Sequence, residues 1–124
     1  MALVMVADDN ERIREVVTRV LQRAGHTVVA EPDGEAAWQR IHECRPDLVL
    51  LDGVMPGTSG NEICERIHGD PATAHIPVIL VSGWLPTDAQ ASCATAMLAK
   101  PFMPHELLER VEQVLAMERA LPPS

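Results

Sequence analysis

Five short apolar runs alternate with longer segments whose apolar residues recur at helical spacing, and that alternation leaves the chain few folds to choose from. The runs are Leu3–Ala7 and residues 26–30, 48–51, 77–81 and 97–99. Strands that are apolar almost throughout are buried on both faces, which is the habit of parallel sheets covered by helices. Asn10 is placed to cap the first helix, Glu11 and Glu15 suit the start of its dipole, and Gly25 stops it. Ile13, Val16, Val17, Val20, Leu21 and Ala24 share one face of that helix. Pro32-Asp33-Gly34 is a turn leading into a helix over 35–43, which buries Ala37, Trp38 and Ile41. Residues 53–60 form a Gly- and Pro-rich loop, and residues 61–68 a helix with Ile63, Cys64 and Ile67 inward. Pro104 suits the first turn of a last helix carrying Leu107, Leu108, Val111, Val114 and Leu115. Leu121-Pro122-Pro123-Ser124 ends it.

Bulk properties exclude several functions. The chain has 124 residues and 47% hydrophobic content, which fits one domain with a real core. A net charge of −8 provides no electrostatic footprint for nucleic acid. Cys44, Cys64 and Cys93 are odd in number and widely spaced, which argues against a disulfide framework and fits a reducing cytoplasm. The five histidines are scattered, which fits surface or boundary roles better than a metal cluster. The apolar start is too short for a leader, and no run approaches the ~18 apolar residues of a membrane span.

The polar residues that stand out all follow strands. Asp8 and Asp9 follow the first, Asp52 the third, Ser82 the fourth and Lys100 the fifth. Right-handed crossovers bring these strand ends to one edge of the sheet, where open α/β sheets bind ligands. Three carboxylates meeting there repel one another and call for a cation, a shared proton or a lysine.

In this order the residues resemble the receiver domain of two-component response regulators, of the chemotaxis type that stands as a single domain. The likeness spans about residues 2–118. It rests on Asp8-Asp9, on the sequence Asp52-Gly53-Val54-Met55-Pro56 with Gly60 before the next helix, on Ser82, and on Lys100-Pro101-Phe102. It implies a flavodoxin-like, doubly wound sheet of five parallel strands in the order 2-1-3-4-5. It also implies a receiver over 1–120, with 121–124 a tail or the start of a linker. By resemblance Asp52 accepts a phosphoryl group from a histidine kinase or phosphotransfer protein, and the domain catalyses its own phosphorylation and dephosphorylation. Asp9 would bind Mg²⁺ directly, Asp8 mainly through water, and Asp52 and the Val54 carbonyl would complete the protein ligands. Lys100 would pair with Asp52 and then with a phosphoryl oxygen, while Ser82 would donate to another oxygen. The Lys100–Pro101 bond is cis in the family's pattern. The chemistry is consistent with the charges, because Mg²⁺ and Lys100 together match three carboxylates. An added phosphoryl group would make the site anionic again and pull Ser82 and its loop inward.

Three departures from the pattern shape further expectations. Ser82 and Lys100 are 18 positions apart, fewer than usual, and Gly83-Trp84-Leu85-Pro86 disfavours helix, so the fourth helix should be short or irregular. Met97 stands where the family has an aromatic switch residue, and Trp84 is the candidate to take over part of that role. Val54 and Trp84 flank the phosphoryl position with apolar bulk, which should slow its hydrolysis. The Met1 start fits a regulator better than an internal segment of a hybrid kinase. Two other readings compete: an interaction module on the same fold that works without phosphorylation, and an aspartyl phosphatase. The second lacks the acid that haloacid-dehalogenase-like enzymes need two residues after the nucleophile, where Val54 stands.

Overall fold

The computed structural model describes residues 2–53, 59–82 and 94–120, with side chains described up to Met117 except that of Ser82. Five parallel strands form one sheet: β1 (Leu3–Ala7), β2 (Thr27–Glu31), β3 (Leu48–Asp52), β4 (Val78–Ser82) and β5 (Ala96–Ala99). Their order is β2-β1-β3-β4-β5, as the resemblance implies. Among the described residues there are four helices: α1 (Glu11–Arg23), α2 (Gly34–Cys44), α3 (Gly60–Gly69) and α4 (Pro104–Ala120). The irregular helix expected after Ser82 falls in residues 83–93, outside the described residues.

The period-two alternation of strand side chains sorts the core into two layers. Val4, Val6, Leu48, Leu50, Ile79, Val81 and Leu98 pack with α1 and α4. Met5, Ala7, Val49, Leu51, Val78 and Leu80 pack with Ala37 and Ile41 of α2 and with Ile63, Cys64 and Ile67 of α3. Every strand register is therefore fixed on both faces, since a slip of one residue would exchange the layers.

Local signals account for the helix ends. The Asn10 side chain accepts from the amides of Arg12 and Ile13, and Asp33 and Ser59 cap α2 and α3 in the same way. Gly25 has φ 94°, a left-handed conformation that suits glycine after a helix. Gly60 has a tighter duty: a Cβ there would collide with the backbone carbonyl of Asp52. Its amide donates to the Gly53 carbonyl at 3.2 Å. Glycine thus lets α3 start against the end of β3, the strand that carries Asp52. One apolar residue departs from the periodic reading. Val16 is 47% exposed, while Val17 and Leu21 carry the buried stripe of α1. The stripe is narrower than the spacing of apolar residues suggests.

His42, a solvated-face residue on sequence grounds, ties α2 to α3. Its Nδ1 lies 3.0 Å from the Trp38 carbonyl oxygen and its Nε2 3.0 Å from Asp70 Oδ2. Both partners are acceptors, so both ring nitrogens donate only when the imidazole is charged. The Asp70 carboxylate, then the Trp38 carbonyl, hold the His42 pKa above its ordinary value of 6.5. His42 and the Ala72 amide hold Asp70 below its ordinary 3.8. The stabilisation is therefore complete below the ordinary histidine value while Asp70 is ionised. It fades as pH rises through the raised His42 pKa, and on the acid side as pH falls through the lowered Asp70 pKa. Thermal unfolding of the protein and of His42→Gln across this range should show a gap in midpoint at mildly acidic pH that closes in alkaline buffer. A gap independent of pH would contradict the charged pair.

Candidate functional site

Strand parity and register assemble the site before any side-chain detail is considered. Val6 pairs with Leu50 and Ala7 with Leu51 across β1 and β3, so the next residue on each strand, Asp8 and Asp52, are lateral neighbours. Asp8 shares its parity with Val4 and Val6, Asp52 with Leu48 and Leu50, and Lys100 with Leu98. All five of those strand mates point to the α1–α4 layer, and so do these three side chains.

The acids converge as expected. One carboxylate oxygen from each of Asp8, Asp9 and Asp52 lies within 4.8 Å of the others. Asp8 and Asp52 are buried, at 3% and 6% exposure, and Asp9 is exposed. Lys100 Nζ lies between the buried pair, 3.1 Å from Asp8 Oδ2 and 3.3 Å from Asp52 Oδ1. It serves both acids, where the resemblance paired it with Asp52. The Lys100–Pro101 peptide is cis, and Phe102 beyond it packs on the α1–α4 layer.

Asp8 is held at each of its polar groups. Its amide donates to the Glu31 carbonyl at 3.2 Å. Its carbonyl accepts from Arg14 Nη1 at 2.7 Å, and its Oδ1 from the Asn10 amide at 2.9 Å. The periodicity of α1 gave no sign of Arg14; the available signal was a cation near the N-terminal end of a helix, against the dipole preference. Asp52 continues β3, and the next amide, that of Gly53, donates to the Val81 carbonyl at 2.8 Å.

The remaining site residues divide. Ser82 ends β4 opposite Ala99, at the same edge as the acids, with its side chain outside the described set. Met97 is half-buried against the α2–α3 layer, the face opposite Lys100. Val54, Gly83 and Trp84 lie outside the described residues. On the other flank of Lys100, Arg12, Ile13, Val16, Pro101 and Phe102 line an open, mainly apolar groove.

Chemically, the cluster carries three carboxylates against one ammonium, with two of the acids buried. Oxygen donors with surplus negative charge suit a hard divalent cation such as Mg²⁺. Asp8, Asp9 and Asp52 are the residues that fit it.

A doubly wound sheet of this order with acids and a lysine at its carboxyl edge defines the receiver class. The family model for the response regulator receiver domain matches residues 4–112. The phosphate regulon transcriptional regulatory protein PhoB of Pseudomonas aeruginosa is 34% identical over 116 residues, covering 90% of this chain and 51% of that protein. RpaA of Synechocystis, a DNA-binding dual master transcriptional regulator, is 32% identical over 98% of this chain and 52% of its own length. Among solved structures, the chemotaxis protein CheY4 of Vibrio cholerae superposes with a TM-score of 0.87 at 29% identity, covering 92% of this chain and 98% of that one. TrrA of Thermotoga maritima, in complex with Mg²⁺–BeF, gives 0.85 at 30% identity, with 92% and 99% covered. The chain belongs to the response regulator receiver domain family. It spans about half the length of the transcriptional regulators it matches.

Replacing Lys100 tests the electrostatics of the site in the absence of metal. Its side chain is one-fifth exposed, while those of Asp8 and Asp52 are almost fully covered. Lys100→Met should lower unfolding free energy in chelator by about 3 kcal/mol, the low end for stranding a buried charge. Asp9→Asn, at an exposed acid, should leave stability unchanged or raise it slightly. Equal losses in the two variants, measured by urea denaturation, would show that the lysine does not offset the buried acids.

Proposed function

We propose that the chain is a phosphoacceptor switch in two-component signalling, with Asp52 as the acceptor. The observation that carries this reading is the convergence of Asp8, Asp9, Asp52 and Lys100 at one sheet edge in a chain of the receiver family. A histidine kinase or histidine phosphotransfer protein is the donor. Bound Mg²⁺ would supply positive charge between the carboxylates and the incoming phosphoryl group.

The chain's own residues do the rest. Asp52 attacks phosphorus through a carboxylate oxygen as the bond to the donor nitrogen breaks. Lys100, already 3.3 Å from Asp52, turns its ammonium to a phosphoryl oxygen and so offsets the charge that arrives. Asp8, fixed from its backbone outward, and Asp9, exposed at the rim, would be the further metal ligands. Ser82 would donate to a second phosphoryl oxygen, and the Val54 carbonyl would join the metal ligands. On this reading Val54 and Trp84 would screen the acyl phosphate from water, while Gly83 and Met97 would accompany the switch. Because positioning and charge dominate phosphoryl transfer, the receiver catalyses its own modification and its own hydrolysis without being a conventional enzyme. Residues 1–120 form the receiver, and 121–124 a tail or linker. The site of action is the cytoplasm; among the described residues no helix is long and apolar enough to cross a membrane.

The intact acid–lysine set weighs against an interaction module that ignores phosphorylation. Intact-mass spectrometry after incubation with a small-molecule phosphodonor separates the two. The expected result is one phosphoryl adduct that requires Mg²⁺ and is absent from Asp52→Asn. No adduct on the wild type, or an equal adduct on Asp52→Asn, would overturn the assignment.

A further inference from the structure

Arg14 sits four residues into α1, where its positive charge meets the positive end of the helix dipole. A cation there works against the helix unless it has a compensating partner. That partner is the backbone carbonyl of Asp8, which accepts from Arg14 Nη1 at 2.7 Å in a partly buried setting. The contact reaches back six residues, over the capped first turn, to the end of β1. A charged donor makes it stronger than an ordinary amide–carbonyl bond.

The target carbonyl has a particular place. It belongs to the peptide that joins Asp8 to Asp9, so fixing it fixes the direction in which Asp9 leaves the strand. On the other side the Asp8 amide is held by Glu31 of β2, and the Asp8 carboxylate by Asn10 and Lys100. Asp9 itself is exposed. Asp8 is thus held by β2 through the peptide before it and by α1 through the peptide that leads to Asp9, while the Asp9 side chain is left to meet a ligand.

We propose that Arg14 is a positioning residue of this site: it locks the Asp8–Asp9 peptide from α1 and so presents the Asp9 carboxylate toward the cation. This rests on the reading of the acids as a metal-binding phosphoacceptor cluster. The two physical roles open to Arg14 have opposite signs. As a nearby positive charge it opposes cation binding, so its removal would tighten Mg²⁺. As a clamp on the ligand-bearing peptide it favours binding, so its removal weakens Mg²⁺.

Mg²⁺ titration of the folded wild type, Arg14→Gln, Arg14→Lys and Arg19→Gln decides between them. Arg19→Gln removes the same charge further along α1. The expected result is a Mg²⁺ Kd about tenfold weaker in Arg14→Gln, at the lower end of what partners behind metal ligands contribute. Arg14→Lys should recover part of the loss, and Arg19→Gln should match the wild type. Unchanged or tighter binding by Arg14→Gln would overturn the proposal. Amide hydrogen exchange at Asn10, whose N–H is held by Asp8 Oδ1, gives a metal-free arm. It should speed up in Arg14→Gln and be largely restored in Arg14→Lys. Exchange equal to that of the wild type would count against the clamp. A wild type without Mg²⁺ affinity would instead defeat the functional reading, and the Asn10 arm would still judge Arg14.

Discussion

Two buried carboxylates stand side by side at the ends of adjacent parallel strands, and the rest of the site answers that repulsion. With oxygens within 4.8 Å, two such charges repel by roughly 3–4 kcal/mol at an effective dielectric near 20. Burial adds a desolvation cost to each. Lys100, between Asp8 and Asp52, offsets part of this. One ammonium against three acids leaves the cluster short of positive charge. That shortage makes a divalent cation, and after it a phosphoryl group, favourable guests in turn.

The fold pays for this arrangement through its core. Both faces of the sheet are sealed by interdigitated aliphatic layers, so strand register is not free to relax. Asp8 cannot move away from Asp52 without shifting β1 against β3, which would bury the wrong faces. Gly60 adds a second restraint by letting α3 begin against the Asp52 carbonyl. Strain at the acids is thus carried by elements that contain no charge at all.

Much of this was legible in the residues. Apolar runs identified the strands to within a residue or two, and right-handed crossovers put Asp8, Asp52 and Lys100 at one edge of the sheet. The cap at Asn10 and the helix start at Pro104 follow from side-chain chemistry. Other features were not legible, for physical reasons. Val16 has the spacing of a core residue, but periodicity does not reveal how far a helix rolls toward solvent. His42 meets Asp70 across 28 positions, a contact made only once α2 and α3 lie together. Arg14 reaches a backbone carbonyl, and such an acceptor leaves no mark in the sequence. The sharing of Lys100 between two acids is likewise a matter of angstroms.

The direct test is to follow unfolding free energy as Mg²⁺ is raised, for the wild type and for Asp52→Asn. A cation held by the folded cluster alone stabilises by RT ln(1 + [L]/Kd). The wild type should therefore gain about 1.4 kcal/mol for each tenfold rise in Mg²⁺ beyond its Kd, and the variant much less at the same concentrations. Equal curves for the two proteins, or no gain in either, would contradict a site built on acids that need a divalent ion.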